Sequence, residues 1–343
     1  MRGRGINYDT GFIDRGLYSR ASFEPETVRR ELQIIRDDLH CNLVRVTGGD
    51  PERLEQAAAW AADLGLEVWF SPFTSDLTED EMLALLQDCA TRAERIRKRG
   101  AEVVFVTGAE LSLLNKGFLP GETIGERVKV LTDRQRAREL FAQVPARIDA
   151  FLARAVPVVR ECFRGKVTYA AIPIERVDWS RFDTLSVDFY RSEDIAAAFA
   201  DATRALVAQG KPVAITELGA ATYRGASKLG ARALFCVEWD EQTAKPLRLD
   251  ADYERDELEQ ATCIREHLEV FEAAGVDTTI LFTFAAYAFP HRQGPRADLD
   301  LAAYGIVKVL ENQQGTTYPD LQWEPKAAFA TVARYYSSIA ARR

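Results

Sequence analysis

Eight times along the chain a short run of β-branched, aliphatic or aromatic residues is followed by a longer segment of helical period, and this alternation limits the fold more than any other feature. The runs are Gly5 to Tyr8, Asn42 to Thr47, Glu67 to Ser71, Glu102 to Thr107, Lys166 to Ile172, Thr184 to Phe189, Pro212 to Thr216 and Thr279 to Phe284. Between them, Glu24-Pro25 opens a segment with Val28, Leu32, Ile35 and Leu39 on one face, and Asp50-Pro51 opens another with Leu54, Ala58 and Ala61. Gly65, Gly100, Gly165, Gly210 and Gly275 each stand between a helical segment and a strand, where a left-handed helix cap is expected. Eight such units are what a closed (β/α)8 barrel requires. A doubly wound open sheet usually has fewer, and it carries a glycine-rich phosphate turn after its first strand, which Asn7-Tyr8-Asp9-Thr10-Gly11 is not.

The chain shows no internal repeat, low-complexity tract or Pro/Ser linker, so the expectation is an α/β protein with one barrel domain over residues 1–343. Two excursions interrupt it, an insertion over 111–144 after strand four and a long segment over 285–323 after strand eight. Both follow strands and would lie over the C-terminal mouth, where this architecture keeps its chemistry. Charge removes one class of partner: 44 basic against 52 acidic residues gives a net −8, the wrong sign for holding a phosphate backbone, so no nucleic-acid partner is expected. No apolar run approaches the roughly 18 to 20 residues a bilayer span needs, and residues 1–14 lack a signal-peptide core, so neither membrane insertion nor export is expected. The five cysteines are far apart and form no Cys-x-x-Cys pair, which suits reduced thiols in a cytoplasmic protein rather than disulfides or zinc. Neither a metal nor a cofactor is expected from the spacing of the potential ligands.

In a barrel of this kind a polar residue at the C-terminal end of a strand reads as functional. That filter selects Asn7, Tyr8 and Asp9 after strand one, Arg45 in strand two, Glu110 after strand four, Asp188 and Tyr190 around the end of strand six, and Glu217 after strand seven. The run Lys211-Pro212-Val213-Ala214-Ile215-Thr216-Glu217-Leu218-Gly219 resembles the seventh-strand motif of the clan A retaining glycoside hydrolases, in which the glutamate is the nucleophile. Glu110, in Val106-Thr107-Gly108-Ala109-Glu110, falls where that clan places its acid/base, and Arg45 is similar to its second-strand arginine, which steadies the nucleophile. Val187-Asp188-Phe189-Tyr190 and Glu324-Pro325-Lys326-Ala327-Ala328-Phe329 resemble its sixth strand and the approach to its last helix. The resemblance implies a (β/α)8 fold and a sugar or other small-molecule substrate, with Glu217 and Glu110 as the working pair. Three positions depart from it: Ala109 stands where the clan has Asn, the third strand lacks a histidine, and strand eight offers Phe282 and Phe284 where a tryptophan platform is common. A looser likeness, through Thr216 to Ala226, is to actinobacterial chains labelled abortive-infection proteins.

The chemistry independently asks for such a pair, since a retaining glycosidase needs one ionised carboxylate to attack the anomeric carbon and one protonated carboxyl to assist the leaving oxygen. Arg45 near Glu217 would keep it anionic, while a drier setting would hold Glu110 protonated. Tyr190 is an expected support, and Asp188 either pairs with it to hold Glu217 or caps a loop; Tyr8, Asp9, Trp69, Phe284 and His291 are candidate substrate contacts around the mouth. The plainer readings are a structural ion pair for Glu217, a helix-entry charge for Glu110 and barrel core for Phe70. His40 and His267 are expected on helices without a site role, and Arg134, Arg136 and Arg138 on a solvated face. Three functions stay open: retaining hydrolysis of a glycosidic bond, a cyclisation or elimination on a non-sugar small molecule by the same glutamates, and an inactive barrel that binds a ligand or partner.

Overall fold

In the computed structural model, which describes residues 1–130 and 134–342, the chain has the (β/α)8 barrel fold with eight parallel strands. They are β1 (Gly3–Asp9), β2 (Leu43–Gly48), β3 (Glu67–Pro72), β4 (Val103–Ala109), β5 (Lys166–Ala170), β6 (Leu185–Asp188), β7 (Val213–Glu217) and β8 (Thr278–Leu281). The helices are α1 (Pro25–Asp37), α2 (Pro51–Asp63), α3 (Glu79–Lys98), α4 (Leu111–Leu114), α5 (Ile124–Lys129), α6 (Arg134–Phe141), α7 (Val144–Cys162), α8 (Phe199–Val207), α9 (Glu257–Ala274) and α10 (Ala327–Ala341). All eight strands read from the sequence are present. The chain packs as two compact units, one of Met1–Asp9, Ser19–Val44 and Phe189–Arg343, the other of Thr10–Tyr18 and Arg45–Asp188.

In the second unit, β3 and β4 pair in register through Val68 with Val103 and Phe70 with Phe105. β4 pairs with β5 through Val106 with Thr168, and the register then shifts before Ala109 meets Ala170. Phe70 stacks on Phe105, which meets Phe163, so Phe70 is core. Two devices set the helix starts: Asp50 accepts from the N–H groups of Glu52 and Arg53 at α2, and Thr78 with Glu81 forms a capping box at α3. Gly165 departs from expectation. It lies past an extended Phe163 and takes no left-handed φ; a Cβ there would come within 2.5 Å of the Phe163 ring and 2.9 Å of the Val103 carbonyl. Close approach is the reason for that glycine, whereas Gly65, Gly100 and, in the other unit, Gly210 and Gly275 do take positive φ. Over 111–144 the described chain is largely helical, and the buried Arg127 binds Asp76 and the carbonyls of Leu113, Leu114 and Gly121. Arg138 is exposed, while the side chains of Arg134 and Arg136 lie outside the described residues.

In the first unit, β1 pairs with β8 from Gly3 with Thr278 to Ile6 with Leu281, and β8 with β7 through Thr278 with Ala214. The run 216–226 builds loop core: Thr222 donates to the Ala303 carbonyl and receives Lys326 Nζ, and the Tyr223 hydroxyl reaches the Ala233 carbonyl. A hairpin of Val237–Trp239 with Pro246–Leu249 follows and has no strand signal of its own. Within 285–323 the chain is irregular except for Leu299–Ala302 and for Val307–Val309, which pairs antiparallel with Trp323–Pro325. His40 is not helical; it lies beyond α1 with φ +56°.

His267 is on α9 as expected, and it is fully buried. Its Nδ1 bonds the Cys263 carbonyl at 2.6 Å and its Nε2 receives the Arg191 N–H at 3.0 Å, an arrangement that requires the neutral ring. Burial holds its pKa down at about 4. The unfolded chain takes up this proton near pH 6.5 and the folded chain not until about 4, so stability present above 6.5 is lost as pH falls through that window, by about 3 kcal/mol at the lower end. In urea titrations from pH 7 to 4 the stability of the native chain relative to His267→Gln should fall with this slope, and a difference that stays constant with pH would show that the imidazole is not held neutral.

Candidate active site

In the first unit the site begins with β7, whose five residues are all buried and whose last residue, Glu217, is 6% exposed. The neighbouring β1 and β8 hold that strand end: Asn7 Nδ2 donates to the Thr216 carbonyl at 3.1 Å, and the Asn7 carbonyl receives the Phe284 N–H and the Thr283 hydroxyl, each at 3.0 Å. The Phe189 N–H donates to the Glu217 carbonyl at 2.9 Å, which brings the next residue over the carboxylate. There the Tyr190 hydroxyl donates to Glu217 Oε2 at 3.0 Å. Tyr190 stands edge-on to Tyr304, whose own hydroxyl binds the Gly230 carbonyl, so the donor is held from behind. A hydrogen bond given to a carboxylate favours its anionic form.

In the second unit, Glu110 follows β4 and takes a left-handed conformation, φ +45° and ψ +37°, at the start of α4. That region is sparsely used by residues with a Cβ and recurs at functional sites. Its N–H donates to the Ala170 carbonyl at 3.0 Å and its carbonyl receives Leu113 and Leu114. Arg45 is fully buried, donates through Nε to Ser71 Oγ at 3.1 Å, and lies 3.9 Å from the carboxylate of Asp188, itself 3% exposed. Within its unit Arg45 faces the charge of Asp188. Carboxylates are the strand-end groups that offer oxygen ligands to a hard cation, and Asp188 already faces a guanidinium.

The structure places the other candidate contacts as follows. Trp69 is 1% exposed and gives its indole N–H to Glu67, so it is core and not a stacking surface. Phe284 is fully buried, edge-on to Trp323 at 5.2 Å. Tyr8 is buried with its hydroxyl committed to Glu31 and Arg20. Asp9 accepts from the Ser19 hydroxyl at 2.6 Å. His291 bonds Asp298 at 2.9 Å inside an ion network in which Arg255 reaches Asp298 and Asp300, and Lys326 reaches Asp300.

One residue beside the site was not anticipated. Glu175, just past β5, is fully buried and accepts the Ser112 N–H at 3.0 Å and the Ile172 N–H at 3.2 Å, with the Tyr169 hydroxyl also bonded to it. Burial pushes its carboxyl up to about 7 against the pull of those donors. Its only signal in sequence is a carboxylate shortly after a strand's C-terminal end, in Ile172-Pro173-Ile174-Glu175.

No family model matches the chain, and no curated protein matches it. Solved structures do. A GH113 β-1,4-mannanase shares 17% identity over 98% of this chain and 100% of its own, at a TM-score of 0.60. The GH113 β-mannanase of Alicyclobacillus acidocaldarius shares 16% over 98% of both chains, also at 0.60. A GH5_18 protein of Bifidobacterium longum subsp. longum shares 11% over 99% of this chain and 79% of its own, at 0.58. The fold is therefore that of these glycoside hydrolases. The likeness to abortive-infection proteins has no counterpart among these three structures.

Removing one partner of a buried ion pair leaves the other charge uncompensated. Arg45→Met should accordingly cost about 3 kcal/mol in urea unfolding. Adding Asp188→Asn should recover part of that loss; a double variant no more stable than the single one would show that the pair does not act as a unit.

Proposed function

We propose that the chain is a glycoside hydrolase that works with retention, Glu217 acting as nucleophile and Glu110 as acid/base. The observation that carries this reading is the carboxylate of Glu217, buried at the C-terminal end of β7 under the Tyr190 hydroxyl. Strand ends of that polarity are where barrels of this class hold their reacting groups. The left-handed turn that presents Glu110 after β4 gives second support.

In the first step the Glu217 carboxylate attacks the anomeric carbon while Glu110 gives its proton to the departing glycosidic oxygen, and a glycosyl ester on Glu217 forms. In the second, Glu110 takes a proton from water as its oxygen attacks the same carbon, and Glu217 leaves as the carboxylate. The pair then needs a separation of about 5 to 5.5 Å and neither metal nor cofactor. Substrate choice starts from the fold neighbours named as β-mannanases, which makes β-mannosides the first compounds to assay.

A specific observation favours a second reading. Ala109, buried beside Glu110, supplies no side-chain donor for a sugar 2-hydroxyl, so the same two glutamates would also suit acid-base chemistry on a small molecule that lacks one.

With aryl β-mannosides and aryl β-glucosides, Glu217→Gln should abolish turnover while the unfolding midpoint stays near native. Glu110→Ala should slow poor leaving groups by about 10²-fold or more and activated ones far less. Azide should restore part of the Glu110→Ala rate as a substitute nucleophile in the second step. Near-native turnover by Glu217→Gln would overturn the assignment of Glu217 as nucleophile, whereas a native chain that turns over neither glycoside would favour the second reading.

A further inference from the structure

Three successive peptide N–H groups at Glu110, Leu111 and Ser112 are each taken up by β5 or the turn after it. Glu110 donates to the Ala170 carbonyl at 3.0 Å, Leu111 to the Tyr169 hydroxyl at 3.0 Å and Ser112 to Glu175 Oε1 at 3.0 Å. Tyr169 and Glu175 are themselves joined, since the hydroxyl that accepts from Leu111 bonds the Glu175 carboxylate. Glu175 Oε2 turns back to the Ile172 N–H at 3.2 Å, which fixes the carboxylate to its own turn. Both side chains are fully buried. A buried carboxylate is retained at a cost unless its oxygens are satisfied, and an apolar residue would pack this space without that cost. What the carboxylate supplies is an acceptor placed for the Ser112 N–H, two residues past a residue held where a Cβ is disfavoured.

We infer that Glu175, acting with Tyr169, is a positioning residue for Glu110: it clamps the first turn of α4 so that Glu110 stays in the left-handed conformation that presents its carboxyl. The inference rests on the reading of Glu110 as acid/base. Without the clamp, α4 has no acceptor for the N–H of Ser112, and Glu110 relaxes toward the ordinary helical or extended regions. The carboxyl then leaves the line to the departing oxygen, a displacement of the kind that slows proton transfer without abolishing binding.

The test uses phenyl and 2,4-dinitrophenyl β-mannoside with the full chain. Glu175→Ala should lower kcat on the phenyl compound by about 10²-fold, change KM less than about twofold, and lower kcat on the dinitrophenyl compound far less. In a Glu110→Ala background it should cause no further loss, because the group it positions is gone. Glu175→Gln, which keeps a carbonyl oxygen for Ser112, should recover part of the rate, and Tyr169→Phe serves as the milder variant if Glu175→Ala does not fold. Losses that multiply with Glu110→Ala, or fall equally on both leaving groups, would overturn the inference and leave the acid/base reading intact. A Glu110→Ala chain with an unchanged phenyl rate would overturn both. A crystal structure of Glu175→Ala or Tyr169→Phe supplies a readout that needs no substrate: Glu110 should leave the left-handed region, and its retention there would overturn the inference.

Discussion

Glu31 is a carboxylate with no access to water, and it survives there because four donors converge on it: the hydroxyls of Tyr8 and Tyr287, Arg20 Nη2 at 2.9 Å and the Trp323 indole N–H at 3.0 Å. Burying such a charge is unfavourable unless it is paired and its lone pairs are filled, and this constellation meets both conditions. Arg20 in turn lies over the rings of Tyr287 and Tyr8, so the cation is sheltered as well as paired. The donors come from β1, from the chain after it, from the segment following β8 and from the approach to α10. Their common acceptor pins the end of β1, and one residue earlier Asn7 pins the ends of β7 and β8. The position of Glu217 is in this sense inherited from a fully buried charge on α1.

The strands were legible because each is a short run rich in β-branched, aliphatic or aromatic residues between turn signals, as strands of a buried parallel sheet tend to be. The starts of α1, α2 and α3 carried Pro or an Asp/Thr cap, which act within four residues and so can be read locally. Gly165 shows the limit of such reading. Glycine after a helix signals either a left-handed φ or a lack of room, and only the neighbouring Phe163 ring and Val103 carbonyl decide between them. The hairpin after β7 and the antiparallel pair after β8 escaped because three- to four-residue strands have no period to detect.

The candidate site divided along similar lines. Position at a strand end is a one-dimensional property, so Glu217, Glu110, Arg45 and Asp188 could be picked out, and within one unit the Tyr190 to Glu217 bond joins two of the residues chosen together. Partnership is not one-dimensional. Tyr8 meets Arg20 and Glu31, and Glu31 meets Trp323 across 292 positions, so nothing near Tyr8 announces that its hydroxyl is already taken. Trp69 and Phe284 misled for a further reason: an aromatic in a barrel strand serves the interior or the mouth according to its depth, and depth is set by neighbouring strands.

The buried carboxyl of Glu175 and the buried imidazole of His267 are displaced in opposite directions, one up to about 7 and the other down to about 4. Between roughly pH 4.5 and 6.5 the folded chain holds a proton on Glu175 that the unfolded chain has released, and lacks one on His267 that the unfolded chain has gained. For these two groups, folding in mildly acidic solution is nearly proton-neutral: one proton is in effect handed from a histidine to a glutamate. Each group by itself would tilt stability against pH, and together they level it over the range in which a carboxylate pair is expected to work.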